Sequence, residues 1–553
     1  MPPHQTRDAK PRHRLILILA AQLAFIAVVH TVSPSGWGWG RTSPSGNTGV
    51  GWLANGSDSF FYDSWLQQAA NGHALFSVLY TTTPHPAAYF NPALLLAGTL
   101  ARVVGGRAEG WFILMGIAAA LALTWTVHRI ATTLGLGGRA ALWAAGLAAF
   151  GSGWSWLLKL WNHFAGPPPL LAADLKFMDL IPSSCALIYP LHTIGLALVA
   201  LGLLQLVVQE QRLAQRAPAR GRVALIGVLA LLAATRPYEP LALAMAYLGY
   251  VGVLSALERS WKPLRERWTL LACGAVAIAP FLGWAAWLSR QPVWSNFARL
   301  ALNQGHPPWF WICGFGGLGV LALGGAVSLF RTRRDPALLP VVWAIAGVVL
   351  SVVAMHGAKL LSGVGISLCL CAGVGMRGIQ GWLETRVRSV RGSGLAAGLL
   401  AAVLAGPATL LVIAREAILY PPLVDTDTVR ISDVLRRAEG GSRGLVLCDP
   451  EEGAALPGLA GVRVYVGHWA LTDGYDQKVG RLGQAGFPSS PEDHPAGPAD
   501  WRVLDALIRE TDCRWIVADA GSALLAHLRT VAGATVAYAG PKRVLVRLPR
   551  PRS

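Results

Sequence analysis

The sequence predicts an α-helical polytopic membrane protein with about eleven spans and a carboxyl-terminal extracytoplasmic α/β domain, and three observations predict it. First, 53% of the residues are hydrophobic and only 14% charged, well short of the roughly 25% charge of soluble domains. Second, Arg and Lys fall in short clusters at alternate ends of long apolar runs: Arg7 to Arg14, Arg212 to Arg222, Arg259 to Arg267, Arg331 to Arg334 and Arg377 to Arg391. Such clusters mark cytoplasmic loops. Third, the last 130 or so residues gain charge and lose the long apolar runs.

About 20 apolar residues cross a ~30 Å hydrocarbon core. Segments of that character lie at 15–33, 110–131, 140–158, 186–208, 222–236, 238–257, 268–289, 308–330, 337–354, 358–376 and 394–414. The first reads as an uncleaved anchor, because Ser33, Pro34 and Ser35 make a poor cleavage site. Pro92 to Gly105 has an apolar core too short to cross, and leaving it out puts every basic cluster on one side. The amino terminus is then cytoplasmic, and residues 34–109, 159–185, 290–307 and 415–553 lie outside. The expected domains are 1–414, including the first outer loop 34–109, and 415–553.

Within 223–257 two crossings share 35 residues, with the turn at Arg236-Pro-Tyr-Glu239-Pro240. Thirteen residues before Arg236 rise only ~20 Å, so Arg236 and Glu239 are expected below the outer surface, where charges need a wet cavity or a partner. An Arg–Glu staple and a substrate-facing role are both consistent with that depth.

In the terminal domain, strands are expected at Gly444–Cys448, Val462–Val466, Arg514–Ala518 and Val544–Arg547, alternating with helices at 428–438, 501–510 and 521–530. Cys448 and Cys513 border strands there, as a disulfide or as two buried thiols. The seven cysteines show no metal-ligand spacing.

The first outer loop contains a run from Asn55 to His73 that reads as a capped helix. Ser57 or Asp58 serves as N-cap, Asn71-Gly72 as the stop, and Phe61, Trp65 and Ala69 form an apolar stripe along the membrane surface. A carboxylate at the start of that helix can take a proton from an incoming hydroxyl; capping alone is the competing explanation for Asp58.

The net charge of +18 resides mainly in the short cytoplasmic loops without aromatic interleaving, which excludes a nucleic-acid partner. No Walker-type loop or dinucleotide fingerprint is present, which disfavours a nucleotide-driven pump. A transporter or lipid flippase would be expected to carry internal repeats and charges at the midplane, and none is apparent. A noncatalytic scaffold is the third alternative.

The run Asp58 to Tyr62 through Gly72-His73, then Thr81-Thr-Thr-Pro84-His85, Phe90-Asn91-Pro92, Gly151-Ser-Gly153-Trp154, Arg236-Pro237-Tyr238 and Val466-Gly467-His468-Trp469 with Thr472 and Lys478 resembles a family of bacterial polytopic proteins similar to GT-C glycosyltransferases. The resemblance implies transfer of a sugar from a polyprenyl-phosphate carrier to a glycan or lipid acceptor at the outer face of the bacterial inner membrane. It implies Asp58 as general base and Asp63 as a second catalytic candidate, with a divalent metal left open. Arg236 and Lys359 are the candidate cations for the leaving phosphate, and Tyr62, His85, Glu239 and His468 are further candidate substrate contacts. The sequence departs from the pattern where Leu191 separates Pro190 from His192, and where Lys359 stands in place of an Arg.

Overall fold

The computed structural model describes residues 10–33, 35, 47–49, 53, 56–165, 181–217, 221–295, 308–332, 335–353, 361, 363–386, 390–406, 408–419, 422–439, 444–488 and 499–549. The chain divides into two compact units. One comprises residues 1–29, 113–285 and 302–416; the other comprises 30–112, 286–301 and 417–553.

The first unit is helical. Seven helices of the described chain are long and apolar enough to cross a membrane, from Arg12–Val32 and Ala108–Thr133 to Trp309–Thr332 and Val364–Glu384, and the bent pair Gly392–Ala405 and Ala408–Leu419 makes an eighth candidate. The protein is thus a multi-pass membrane protein by the length and composition of its helices. A helix occurs at each of the eleven expected places, but not every one meets the length of a span. Arg222–Thr235 has 14 residues. The expected span 140–158 is two helices, Gly138–Phe150 and Ser155–Ala165.

That interruption has a local cause and a distant one. Gly151-Ser-Gly153 is a poor helix former, and the segment finds its hydrogen bonds elsewhere. The Trp154 amide donates to the Cys313 carbonyl at 2.8 Å, its indole donates to the Leu404 carbonyl at 2.8 Å, and Thr409 Oγ1 donates to the Gly153 carbonyl at 3.0 Å. Helix Pro308–Thr332 is kinked at Gly316, with φ of 44°. A Cβ there would lie 2.6 Å from the Trp154 ring, so only glycine admits the tryptophan. Three helix breaks meet at this motif.

At the Arg236–Glu239 turn in this unit the two side chains pair. Arg236 Nε sits 2.7 Å from Glu239 Oε1, and Glu239 is buried. Gly195 makes room, since a Cβ there would lie 2.6 Å from both side chains. At the other end of the same helices Glu210 is buried and takes four donors. Arg267 Nε and Nη2 donate at 2.9 and 2.8 Å, and the Tyr247 and Tyr250 hydroxyls at 2.6 and 3.2 Å.

The second unit holds a five-stranded mixed sheet, spatial order β4-β3-β5-β7-β6. Its strands are β3 (Leu445–Leu447), β4 (Arg463–Val464), β5 (Trp515–Asp519), β6 (Thr535–Ala539) and β7 (Arg543–Arg547). β3 runs parallel to β4 and β5, while β7 is antiparallel to β5 and β6. Four of the five are the expected strands. β6 escapes prediction because it is an edge strand with four of five residues exposed, so it lacks the apolar alternation of a half-buried strand. Cys448 and Cys513 are buried thiols.

Two helices also went unanticipated, Pro450–Ala460 and Tyr475–Gln484. The first carries its own start signals: Asp449 accepts the Glu452 amide at 2.8 Å, with Pro450 at the first helical position. The unit also contains the first loop. A small ribbon joins β1 (Asn47–Gly49) to β2 (Leu423–Asp425), antiparallel, and Ser35 Oγ donates to the Pro422 carbonyl at 2.9 Å.

Candidate active site

The helix predicted in the first loop spans Gly56–Ala70, and Gly72 stops it at φ +90°. Asp58 lies inside the first turn rather than at the N-cap, where its charge complements the helix dipole. Phe61, Trp65 and Ala69 are buried as expected, but so are Ser59, Phe60, Asp63, Ser64 and Leu66. The helix is therefore enclosed on nearly every face, not only along one stripe.

Two neighbours enclose it. Helix Pro92–Val104, capped by Asn91 Oδ1 accepting from the Ala93 and Leu94 amides, crosses it at Gly98, where a Cβ would meet Ala69. Helix Pro450–Ala460 crosses it at Gly458, where a Cβ would lie 2.6 Å from the Phe60 carbonyl, and the Gln67 side-chain amide donates to the Gly458 carbonyl. The same helix packs through Gly453 on the Val466 carbonyl. One helix thus fixes both Asp58 and the Val466-Gly-His-Trp469 segment.

The result is a carboxylate–imidazole pair. His468 Nε2 lies 3.1 Å from Asp58 Oδ1, with the imidazole 3% and the carboxylate 41% exposed. Nδ1 of the same ring accepts the Ala470 amide at 3.2 Å. A backbone N–H can only donate, so Nδ1 carries no proton, and Nε2–H is the donor to Asp58. The ring is walled by Phe61 and Tyr80, centroids 5.5 and 5.9 Å away.

A clasp next to the pair fixes the loop 80–83. Thr472 Oγ1 donates to the Tyr80 carbonyl at 2.8 Å and accepts the Gly467 amide at 3.2 Å. Asp473 accepts from Thr81 Oγ1 and, at 2.6 Å, from Thr83 Oγ1, and pairs with Lys478 at 2.8 Å. Partial burial raises the Asp473 pKa, but the Lys478 ammonium and the two hydroxyls outweigh it and hold the group down at about 2.

The remaining candidates separate by environment. Tyr62 contacts the Phe61 and Phe112 rings. Asp63 is fully buried; burial first, then the Asp63 charge, pushes the Tyr80 hydroxyl pKa up. Both His85 nitrogens engage the loop's own backbone: Nε2 accepts the Val78 amide at 3.0 Å, and Nδ1 lies 2.8 Å from the Thr83 carbonyl. Arg236 and Glu239 are found together in the helical unit, as above, while Lys359 lies outside the described residues. Of the groups in the clasp, Asp473 and Tyr80 were not singled out from sequence. The Thr-Thr-Thr run gave the only hint, since clustered hydroxyls seek an acceptor.

A second polar centre lies in the same unit. Arg543 pairs with Asp449 at 3.0 Å, with Glu452 at 3.1 Å and with Asp519, beside a cavity of about 620 Å³ lined by Asp425, Glu451, Lys542 and Thr428 among others. Burial, and then the neighbouring Asp449 charge, raise the Glu452 pKa to about 7. Among the described residues no group of three or more His, Cys, Asp or Glu side chains is placed to hold a metal ion.

No protein-family profile matches the chain, and no curated protein sequence matches it. Solved structures do. An oligosaccharyltransferase from Archaeoglobus fulgidus, tethered to an acceptor peptide, superposes with a TM-score of 0.57 at 12% identity over 91% of this chain and 69% of that one. The archaeal oligosaccharyltransferase AglB from Archaeoglobus fulgidus, in complex with an inhibitory peptide and a dolichol-phosphate, gives 0.58 at 12% identity, with the same coverage. ArnT from Cupriavidus metallidurans in the apo state gives 0.52 at 14% identity over 96% of this chain and 97% of that one. At these identities the likeness shows the fold: a membrane helix bundle with a sheet-containing carboxyl-terminal region, as in GT-C glycosyltransferases.

Proposed function

We propose that the chain is a membrane glycosyltransferase that moves a sugar from a polyprenyl-phosphate carrier to an acceptor hydroxyl on the outer face of the membrane. The observation that carries this reading is the Asp58–His468 pair: a half-exposed carboxylate at the start of a rigid, enclosed helix, held at one oxygen by a buried imidazole. The fold shared with AglB and ArnT, whose solved complexes include a dolichol-phosphate bound to AglB, supports the carrier class.

In this mechanism Asp58 accepts the acceptor hydroxyl proton as the oxygen attacks the anomeric carbon, and the bond from that carbon to the carrier phosphate breaks. The phosphate leaves with the electron pair. His468 donates from Nε2 to Oδ1 and so orients the carboxylate; its proton does not transfer. Its buried ring holds that geometry before the acceptor arrives, which is where orientation lowers a barrier. The developing phosphate charge calls for a cation. His85 holds the backbone of the loop, Tyr62 adds an aromatic wall, and the fully buried Asp63 is the second catalytic candidate.

The competing explanation is that Asp58 and His468 merely tie the helix to the 466–469 segment. The test is sugar transfer by purified Asp58→Asn protein, folded as judged by thermal unfolding. A general base contributes about 10²- to 10⁴-fold, so a loss of that size is expected, with His468→Gln losing less. Full transfer by Asp58→Asn rejects the base, and lipid movement without any transfer by the wild type favours a flippase.

A further inference from the structure

A cavity of about 580 Å³ opens at the far end of the Gly56–Ala70 helix, lined in part by Gln67, His73, Arg102, Arg107, Glu109 and Arg436. Its volume falls within the range of small-ligand sites. Three arginines and one carboxylate line it, with Asp433 paired to Arg436 beside it, so the cluster is net positive, and the arginines come from three parts of the chain. Arg102 is in the last turn of helix Pro92–Val104, Arg107 immediately precedes helix Ala108–Thr133, and Arg436 ends helix Thr426–Glu439.

Two of the guanidinium groups are positioned rather than loose. Arg102 Nη1 would lie 2.4 Å from a Cβ at Gly72, so the group rests on bare backbone at a residue whose φ of +90° already favours glycine. Arg436 is oriented by Asp433 at 3.1 Å and by the Leu459 carbonyl. Planar guanidinium groups held in this way suit the oxygens of a phosphate ester.

The surroundings point to a lipid as the source of that phosphate. Val103 and Val104, directly after Arg102, are 77% and 63% exposed, and Leu96 on the same helix is also exposed. Arg107 borders a helix long and apolar enough to cross a membrane. Exposed aliphatic side chains beside arginines at the mouth of a span match the boundary between hydrocarbon and headgroups. We propose that this cavity binds the phosphate headgroup of an anionic phospholipid. It is separate from the Asp58–His468 pair, because its nearest wall, Gln67, stands nine residues along the helix, about 14 Å at 1.5 Å per residue. The proposal does not depend on sugar transfer.

Native mass spectrometry of the purified full chain in detergent, titrated in parallel with phosphatidylglycerol and phosphatidylcholine, tests it. The wild type is expected to retain phosphatidylglycerol in preference by roughly tenfold or more, as two or three cations at headgroup depth imply. Arg102→Gln with Arg107→Gln should abolish the preference, and Arg102→Lys with Arg107→Lys should keep part of it. If the double Gln variant does not fold, Arg436→Gln gives the same readout from the opposite wall. Equal retention of the two lipids by the wild type, or an unchanged preference in the Gln variants, overturns the site. Displacement of the lipid by millimolar inorganic phosphate, with a fall in signal matching loss of the arginines, overturns the lipid assignment in favour of a soluble phosphate ester.

Discussion

Two acids of this protein, Glu210 and Asp58, each meet a basic partner, and the contrast separates a structural pair from a reactive one. Glu210 is buried, and Arg267, Tyr247 and Tyr250 all donate to its two oxygens. It joins three apolar helices, Pro190–Ala214, Tyr238–Glu258 and Lys262–Leu288. Asp58 has its His468 contact on one oxygen and keeps 41% of its side chain exposed. Saturation makes the first a clamp, since nothing else can approach. Partial exposure leaves the second able to meet an acceptor hydroxyl.

The comparison breaks most decisively at Glu210. Glu210→Ala removes the buried partner of the Arg267 charge and leaves only the exposed Glu266 at 3.7 Å, a loss of about 3–5 kcal/mol, read as a collapse of thermal unfolding temperature in detergent. Glu210→Leu combined with Arg267→Met should recover most of it. Asp58→Ala leaves the buried His468 Nε2–H without its acceptor and should cost about 1–3 kcal/mol, less than the loss at Glu210. A large stability loss at Asp58 would make the two sites alike and remove the distinction.

Next in size is Gly453→Val. Its side chain would collide with the Val466 carbonyl, which already stands 1.9 Å from a built Cβ, at a cost of about 1–3 kcal/mol. Because the helix carrying Gly453 also sets His468, transfer should fall further than stability. A variant that is destabilised yet fully active would show that this helix does not position the pair.

The smallest effects are in pH. Glu452, raised to about 7 by burial, holds more protons folded than unfolded, so its contribution is full below the ordinary carboxylate value of 4.5 and is lost as pH rises through about 7. Glu452→Gln should flatten that part of the stability profile. Asp473, held at about 2, has the opposite sign: its contribution is full above the ordinary value of 3.8 and is lost as pH falls through about 2. Asp473→Asn should lower stability by roughly 1 kcal/mol at neutral pH and remove that acid-side slope. A slope of unchanged sign and size in either variant would assign it to other groups.

Much of the bundle was legible from the chain. Long apolar runs punctuated by arginine give helices at each expected place, because lipid admits no unpaired backbone and leaves helix as the available local structure. The Asn55–His73 helix was also readable, as its stop glycine and apolar spacing are local signals. Helix Pro450–Ala460 was less so, because Gly453, Pro457 and Gly458 break the propensity pattern while serving close contacts made by distant segments. The break at Gly151–Trp154 likewise depends on Gly316 and Leu404, far along the sequence.

Composition, basic clusters and helix-capping residues therefore determined by themselves that this protein is a multi-pass helical chain with a separate sheet-bearing end, since each of those is a short-range property of the residues. Tertiary structure alone decided that Asp58 meets His468, 410 residues away, and that Arg102, Arg107 and Arg436 surround one cavity. Such encounters depend on how helices cross. Crossing is set by where side chains are small enough to let backbones touch, which no local pattern records.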